Sequence, residues 1–279
     1  MFLSGIADEA GKSIEKQIQA HQELGWSQIE IRNVDGENLT DVAESKFNEV
    51  AEKLEEAKMK VCCFASQIAN WARKISGDFN LDKEELKRAI PRMHRLHTKY
   101  IRIMSYPNDN WEDSKWREEV MRRLKELAKI AEDGGIILAH ENCSGWGGQN
   151  PEQAADIIET IDSSALKFLF DTGNKPHQKG MVWEVYRKIK SYVVHVHIKD
   201  YRGEKAVFPG EGDCQVAEVI KDLLASGYKG SFSIEPHMAS IIHLGKEAND
   251  PEAAYRLYLD YGRKAQSLVE KAKDDISGG

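Results

Sequence analysis

Eight short runs rich in β-branched and aromatic residues alternate with eight stretches of helical spacing, and no Pro/Gly/Ser-rich linker or shift in composition interrupts the cycle. The expected strands are 3–7 (LSGIA), 28–32 (QIEIR), 60–65 (KVCCFA), 100–104 (YIRIM), 136–141 (IILAHE), 166–171 (LKFLFD), 193–198 (VVHVHI) and 231–236 (SFSIEP). Between them, apolar residues recur at the spacing of one helix face: Ile14, Ile18 and Leu24; Phe47, Val50 and Leu54; Val120, Leu124, Leu127 and Ala131; Val216, Val219, Ile220 and Leu223. Gly25, Gly134, Gly135 and Gly227 directly follow such a pattern, where a left-handed helix stop is expected. Strict βα alternation over 279 residues predicts one (β/α)8 TIM barrel domain, residues 1–279. An open doubly wound sheet meets the same pattern, but no GxGxxG or GxxxxGK[ST] turn follows the first strand.

Alternation within the strands sorts residues by face. In SFSIE, Phe232 and Ile234 oppose Ser231, Ser233 and Glu235; in HVHIK, His195, His197 and Lys199 oppose Val196 and Ile198. The apolar set faces the helices and the polar set faces the barrel axis. Glu141, Asp171, His197 and Glu235 each stand where a strand-like run ends, and barrel active sites are assembled at that end. Taken singly, a strand-end carboxylate is more often a helix cap or surface group, and a strand histidine more often a hydrogen-bonded core residue. Taken together, three carboxylates and an imidazole repel one another without a cation. Their oxygen and nitrogen donors suit Mn2+, with Mg2+ and Co2+ as alternatives. Glu30, inside the barrel, needs a partner, and Arg32 or Arg102 is the expected one.

A net charge of −7, with 39 basic residues interspersed among 46 acidic ones, argues against a nucleic-acid surface. No apolar stretch approaches the roughly 20 residues that span a bilayer, and the start MFLSGIADEAGKS lacks a basic region followed by an apolar run. A soluble, cytoplasmic protein without membrane or nucleic-acid partners is expected. Cys62 and Cys63 are adjacent, and Cys143 and Cys214 show no CxxC spacing, so buried reduced thiols are expected rather than a zinc cluster. The charged helix at 82–99 and the tail EKAKDDISGG read as solvated surface.

The ordered strand ends, with the motifs ENCSG, FDTGN, HVHIKD, PGEGD and IEPH, resemble the sugar phosphate isomerase/epimerase family of xylose isomerase-like barrels. That group includes ketose 3-epimerases, hydroxypyruvate isomerase and inosose dehydratase. GIADEAG and ELGWSQIEIRNVDG match its style too, so the resemblance covers nearly the whole chain. It implies metal ligation by Glu141, Asp171, His197 and Glu235, with one divalent ion, Mn2+ first and Mg2+, Co2+ or Zn2+ after it. It also implies that Glu141 and Glu235 are catalytic, one removing a proton alpha to a carbonyl and the other returning one to the opposite face. A sugar or sugar phosphate substrate and a homodimer or homotetramer are further implications.

Lys199 and Arg202 follow the metal histidine and would polarise an oxyanion or hold a phosphate or carboxylate. Trp71 and Trp146 follow strand ends and would stack on a sugar ring, although packing under the loops suits them equally. Asn174 and His177 would hydrogen-bond sugar hydroxyls, and Asn142 would steady Glu141. Three positions depart from the ketose 3-epimerase pattern: Asn174 replaces a histidine, Gly147 replaces a second glutamate, and Arg202 lies one residue early. These departures leave room for a glycosidic or phosphorylated substrate, or for elimination after the same deprotonation. The leading reading is an isomerase or epimerase working through an enediolate. A metal-dependent lyase or dehydratase comes second and a non-catalytic sugar-binding barrel third. The related apurinic endonucleases would need several zinc ions and a basic DNA face.

Overall fold

The computed structural model describes residues 1–148, 150–174, 181–239 and 250–278. Eight parallel strands run through it: β1 (Phe2–Gly5), β2 (Gln28–Ile31), β3 (Lys60–Ala65), β4 (Tyr100–Ser105), β5 (Ile137–Gly145), β6 (Leu166–Asp171), β7 (Val193–Ile198) and β8 (Ser231–Ile234). Their order in the sheet is β1-β8-β7-β6-β5-β4-β3-β2, and a parallel bridge from Ile6 to Glu30 joins the two ends. The alternation therefore closes into the TIM barrel, and the open-sheet alternative falls. The helices are α1 (Ile14–Glu23), α2 (Glu44–Glu56), α3 (Asn80–Arg95), α4 (Asp113–Asp133), α5 (Pro151–Ile161), α6 (Met181–Ile189), α7 (Val216–Ala225) and α8 (Pro251–Ser277).

The helices begin and end where local chemistry dictates. Asn150 and Asp250 accept backbone N–H groups at the starts of α5 and α8, each just ahead of a proline in the first turn. Gly25, Gly135 and Gly227 take positive φ after α1, α4 and α7, as expected, whereas Gly134 keeps right-handed backbone. One glycine stop is enough, because the first glycine still donates to Ile130 O. Every apolar helix position named from the sequence is buried. These faces pack on the outward strand residues Val196, Ile198, Phe232 and Ile234, all fully buried, to form the core between sheet and helices.

Three expectations need correction. The charged helix α3 is not a solvated surface, because Asp82, Glu85 and Arg92 are buried beside Leu86, Ala89 and Met93. Arg73 pairs with Asp82 and Glu85, and Arg92 donates to the carbonyls of Leu39 and Val42, so these charges brace loops. The tail, helical to Ser277, is the solvated surface expected, exposed at every described residue from Glu270 except Ala272. Cys62 and Cys143 are only half-buried, although all four cysteines are free. Two small hairpins, Asn33–Val34 with Glu37–Asn38 and Tyr201–Arg202 with Lys205–Ala206, were not expected and lie beyond the C-terminal ends of β2 and β7.

The barrel interior is polar. Ser4 and Ser231 share a hydrogen bond of 2.7 Å, and the Cys62 thiol donates to Ser4 Oγ. His195, the register partner of Ser231, bonds Glu30 across the interior. Parallel barrels more often fill this space with branched apolar side chains. Among the described residues, no helix is long and apolar enough to cross a membrane.

Candidate metal centre

Asp171 ends β6 and His197 is the penultimate residue of β7; the two are register partners on adjacent strands, so their side chains leave the sheet on the same face. Ser233 of β8 is register partner of His197, which puts Glu235 one step further toward the barrel mouth. Glu141 reaches the same point from β5. One donor atom from each of the four lies within 4.8 Å of all the others, and all four residues are buried. His197 Nδ1 is 3.6 Å from Glu141 Oε1, 3.8 Å from Asp171 Oδ2 and 3.5 Å from Glu235 Oε2.

Buried polar atoms ordinarily find partners. Here Glu141 Oε2, Asp171 Oδ2, His197 Nδ1 and Glu235 Oε2 make no hydrogen bond among the described residues. One orphaned atom from each member of the cluster, with oxygen and imidazole chemistry, is what a hard or borderline divalent cation requires. The residues therefore fit such an ion.

His197 is aimed at the cluster from behind. Its Nε2 is 3.0 and 3.1 Å from the two Glu30 oxygens, and His195 Nε2 is 2.7 Å from Glu30 Oε2. With Nε2 donating to a carboxylate, Nδ1 is left to face the other three acids. This is the arrangement that orients metal-ligating histidines. Burial opposes the Glu30 charge, but His197 and His195 outweigh it and hold this carboxyl well below the usual range. Arg32 and Arg102 are not its partners. The expected pairing fails because the Glu30 side chain crosses the barrel to β7, while Arg32 lies just past β2 and Arg102, inside β4, turns to Glu141 and Ser66 O.

Those arginines instead serve the candidate ligands. Arg32 donates to both Asp8 oxygens at 3.0 and 2.9 Å and to Glu235 Oε1 at 3.1 Å. Arg102 Nε lies 3.5 Å from Glu141 Oε2, and its guanidinium also donates to Ser66 O. Burial opposes ionisation of Glu141, yet Arg102 and His197 prevail and lower its pKa to about 2. For Glu235 burial is likewise overcome, here by Lys199 and His237, and its carboxyl is held well below the usual range. Glu9, against His237, goes the other way, because burial dominates and raises it.

Lys199 is buried, with Nζ 2.8 Å from Asp171 Oδ2 and 2.7 Å from Glu235 Oε2, contacts that are ionic without being aligned hydrogen bonds. Burial works against its charge, but Asp171 and Glu235 outweigh it and keep it well above the ordinary lysine range. A Cβ on Gly173 would meet the Lys199 stem at 2.6 Å, which accounts for the glycine of FDTGN. Asn174 donates to Glu141 Oε1 at 3.2 Å. Asn142 ties β5 to β6, donating to Asp171 O at 2.9 Å and accepting from Asp171 N at 2.7 Å.

The other expected substrate contacts divide. Trp71 is exposed in the loop after β3. Arg202 is exposed in its hairpin and donates to Glu211 O. Trp146 is a packing residue: it is buried, donates to Asp156 Oδ2 at 3.0 Å and meets Trp116 edge-on at 5.1 Å. His177 lies outside the described residues. Sequence reasoning missed Asp8, Glu9, Tyr201 and His237. His237 Nε2 is 3.1 Å from Glu235 Oε1, its Nδ1 is 3.2 Å from Tyr201 OH, and its backbone N donates to Glu9 Oε2. A signal for three of them was present in GIADEAG and IEPH, where Asp8, Glu9 and His237 come within four residues of the ends of β1 and β8.

Residues 18–264 match the xylose isomerase-like TIM barrel family, and the chain belongs to it. It is 30% identical over 145 residues to inosose dehydratase of Salmonella typhimurium strain LT2, covering 45% of this chain and 48% of that protein. The chain spans about half the length of the curated relatives it matches, 41% and 52% in two of them. The crystal structure of D-psicose 3-epimerase with D-tagatose from Clostridium cellulolyticum H10 superposes with a TM-score of 0.75 at 17% identity, covering 99% of both chains. A xylose isomerase-like TIM barrel protein from Mycobacterium smegmatis, in complex with magnesium, gives 0.67 at 17% identity over 96% of this chain and 97% of that one. At such identities these structures show the shared fold.

Proposed function

We propose that this protein is a divalent metal-dependent isomerase or epimerase acting on a sugar or sugar phosphate, with Glu141, Asp171, His197 and Glu235 holding the ion. The observation that carries the reading is a set of four buried residues with one donor atom each within 4.8 Å of all the others, of which Asp171 Oδ2, His197 Nδ1 and Glu235 Oε2 have no hydrogen bond among the described residues. A bound ion would polarise the substrate carbonyl and lower the cost of charge on the enediolate. Mn2+ suits the donor set best, and the magnesium complex of the structural neighbour keeps Mg2+ in view.

The chain's own groups would do the rest. Glu141 and Glu235 enter from β5 and from beyond β8, so a carbon held between them meets one carboxylate on each face. Glu141 would take the proton and Glu235 return one, or the reverse. Arg32 and His237 hold Glu235 by Oε1 and leave Oε2 toward His197, whereas on Glu141 Asn174 donates to Oε1, the oxygen facing His197, and Arg102 stands beside Oε2. Lys199, charged and buried, would stabilise a substrate oxyanion. Proton exchange between substrate and D2O, followed by NMR over a panel of keto-sugars and sugar phosphates with Mn2+, tests the reading. Metal-dependent exchange at the carbon beside the carbonyl is expected, and its absence across the panel would overturn it.

A dehydratase is the second reading, favoured by the chain Tyr201–His237–Glu235. Tyr201 OH, passed a proton through His237, would deliver it to a leaving hydroxyl, and the inosose dehydratase relative points the same way. An absorbing, unsaturated keto product would select this reading over epimerisation.

A further inference from the structure

At the opposite end of the barrel a cavity of about 500 Å3 opens among the starting residues of the strands. Lys60, Lys99, Lys229 and His97 stand exposed around it, and no aspartate or glutamate lines it. Many lysines elsewhere are paired, as Lys16 is with Glu252 and Lys221 with Asp275. Among the described residues Lys60, Lys99 and Lys229 pair with no carboxylate, in a chain whose net charge is −7. Like charges gathered around a concavity with a low-dielectric wall focus the field and attract an anion.

The wall supplies a second, independent feature. His195 is buried and lines the cavity, and among the described residues only its Nε2 has a hydrogen-bond partner, Glu30. With Nε2 donating to that carboxylate, Nδ1 presents a lone pair, which accepts from a hydroxyl. Glu30, Cys62 and His195 are close enough to surround a metal ion. A cation is nonetheless the poorer occupant: both Glu30 oxygens are engaged by histidines, and three ammonium groups guard the mouth. The Cys62 thiol is also pushed up to about 12 by burial and by the Glu30 charge, so it offers no thiolate.

We propose that this cavity is a binding site for a small phosphorylated polyol, its phosphate held by Lys60, Lys99 and Lys229 and a hydroxyl donating to His195 Nδ1. Its inner wall is one carboxylate, Glu30, away from His197.

Isothermal titration of the full chain with sorbitol 6-phosphate, which has no carbonyl to turn over, tests the site. Binding with a Kd below about 1 mM is expected. It should persist in Asp171→Asn, weaken about tenfold or more in the triple variant K60Q/K99Q/K229Q, and weaken as salt is raised. Sorbitol and inorganic phosphate should each bind about tenfold more weakly or worse, since each makes half of the contacts. The three lysines are exposed, so a Tm no lower than the parent's in the triple variant is the control for folding. No heat up to about 10 mM ligand, full binding in the triple variant, or binding lost in Asp171→Asn would overturn the proposal. Inorganic phosphate binding as tightly as sorbitol 6-phosphate would remove the His195 contact and overturn it as well.

Discussion

Asp171 and Asp200 are both fully buried acids, the first at the end of β6 and the second just past β7, yet their surroundings are opposite. Asp200 is saturated: Oδ1 accepts from the backbone N of Tyr201 and Cys214, and Oδ2 from Gly210 and Gly212, at 2.8 to 3.2 Å. It ties the PGEGD loop to the strand end, and a Cβ on Gly212 would run into its Oδ1 at 2.2 Å. Asp171 uses Oδ1 on Gly173 N and leaves Oδ2 without a hydrogen bond, beside Lys199 and three other orphaned atoms. A buried carboxylate given four backbone donors builds structure. One left open toward other acids is the environment a bound cation would relieve.

The widest separation between the two should come from removing their charges. Asp171→Asn is expected to abolish tight Mn2+ binding and to lower turnover about a thousandfold or more, with the metal-free Tm unchanged or raised because a crowded charge is gone. Asp200→Ala should do the reverse, costing about 3 kcal/mol of stability by stranding backbone donors, while calorimetry on the folded fraction finds Mn2+ affinity close to that of the parent. If Asp200→Ala lost metal at full stability, the division of labour between the two acids would be wrong.

A smaller effect is expected one residue further back. Glu30→Gln should weaken metal binding by about 10- to 100-fold by loosening the His197 ring, with little change in fold by circular dichroism. The same ring predicts a pH signature. Burial opposes the His197 imidazolium, but Glu30 and the three facing acids overcome it and raise its pKa well above the ordinary value. Metal uptake near neutral pH should then release a proton, visible as a dependence of binding heat on the buffer's ionisation enthalpy. Because the folded pKa is the higher one, this group's contribution to metal-free stability is complete below the unfolded imidazole pKa and lost as pH rises through the folded value. The gain in Tm on adding Mn2+ should therefore grow with pH, and a gain that shrinks would contradict this role for His197. The smallest shift is expected from Lys199→Met, which removes a competing cation from Asp171 and Glu235: Mn2+ binding should tighten a few-fold while turnover falls.

The barrel was legible because its code is periodic. Two-residue alternation in SFSIE and HVHIK placed Glu235 and His197 inward, and helix-face spacing placed Val219 and Leu124 in the core. The meeting of Glu141, Asp171, His197 and Glu235 followed from one geometric rule, that inward residues at the carboxyl ends of strands converge. What stayed hidden depends on side-chain reach between strands distant in sequence. Glu30 crossing to His195 and His197, Arg32 choosing Asp8 and Glu235, and His237 linking Tyr201 to Glu235 have no sequence period. Asp200 shows the opposite hazard: HIKD and PGEGD look like chemistry in the sequence, and the acid in HIKD turns out to organise a loop.

Anomalous diffraction from crystals soaked in Mn2+ puts the central claim to its most direct test. The account predicts one peak bonded to Glu141, Asp171, His197 Nδ1 and Glu235 at about 2.0–2.3 Å, with Lys199 Nζ moved away from the acids. A peak elsewhere in the barrel, or none at this cluster at saturating metal, would contradict it.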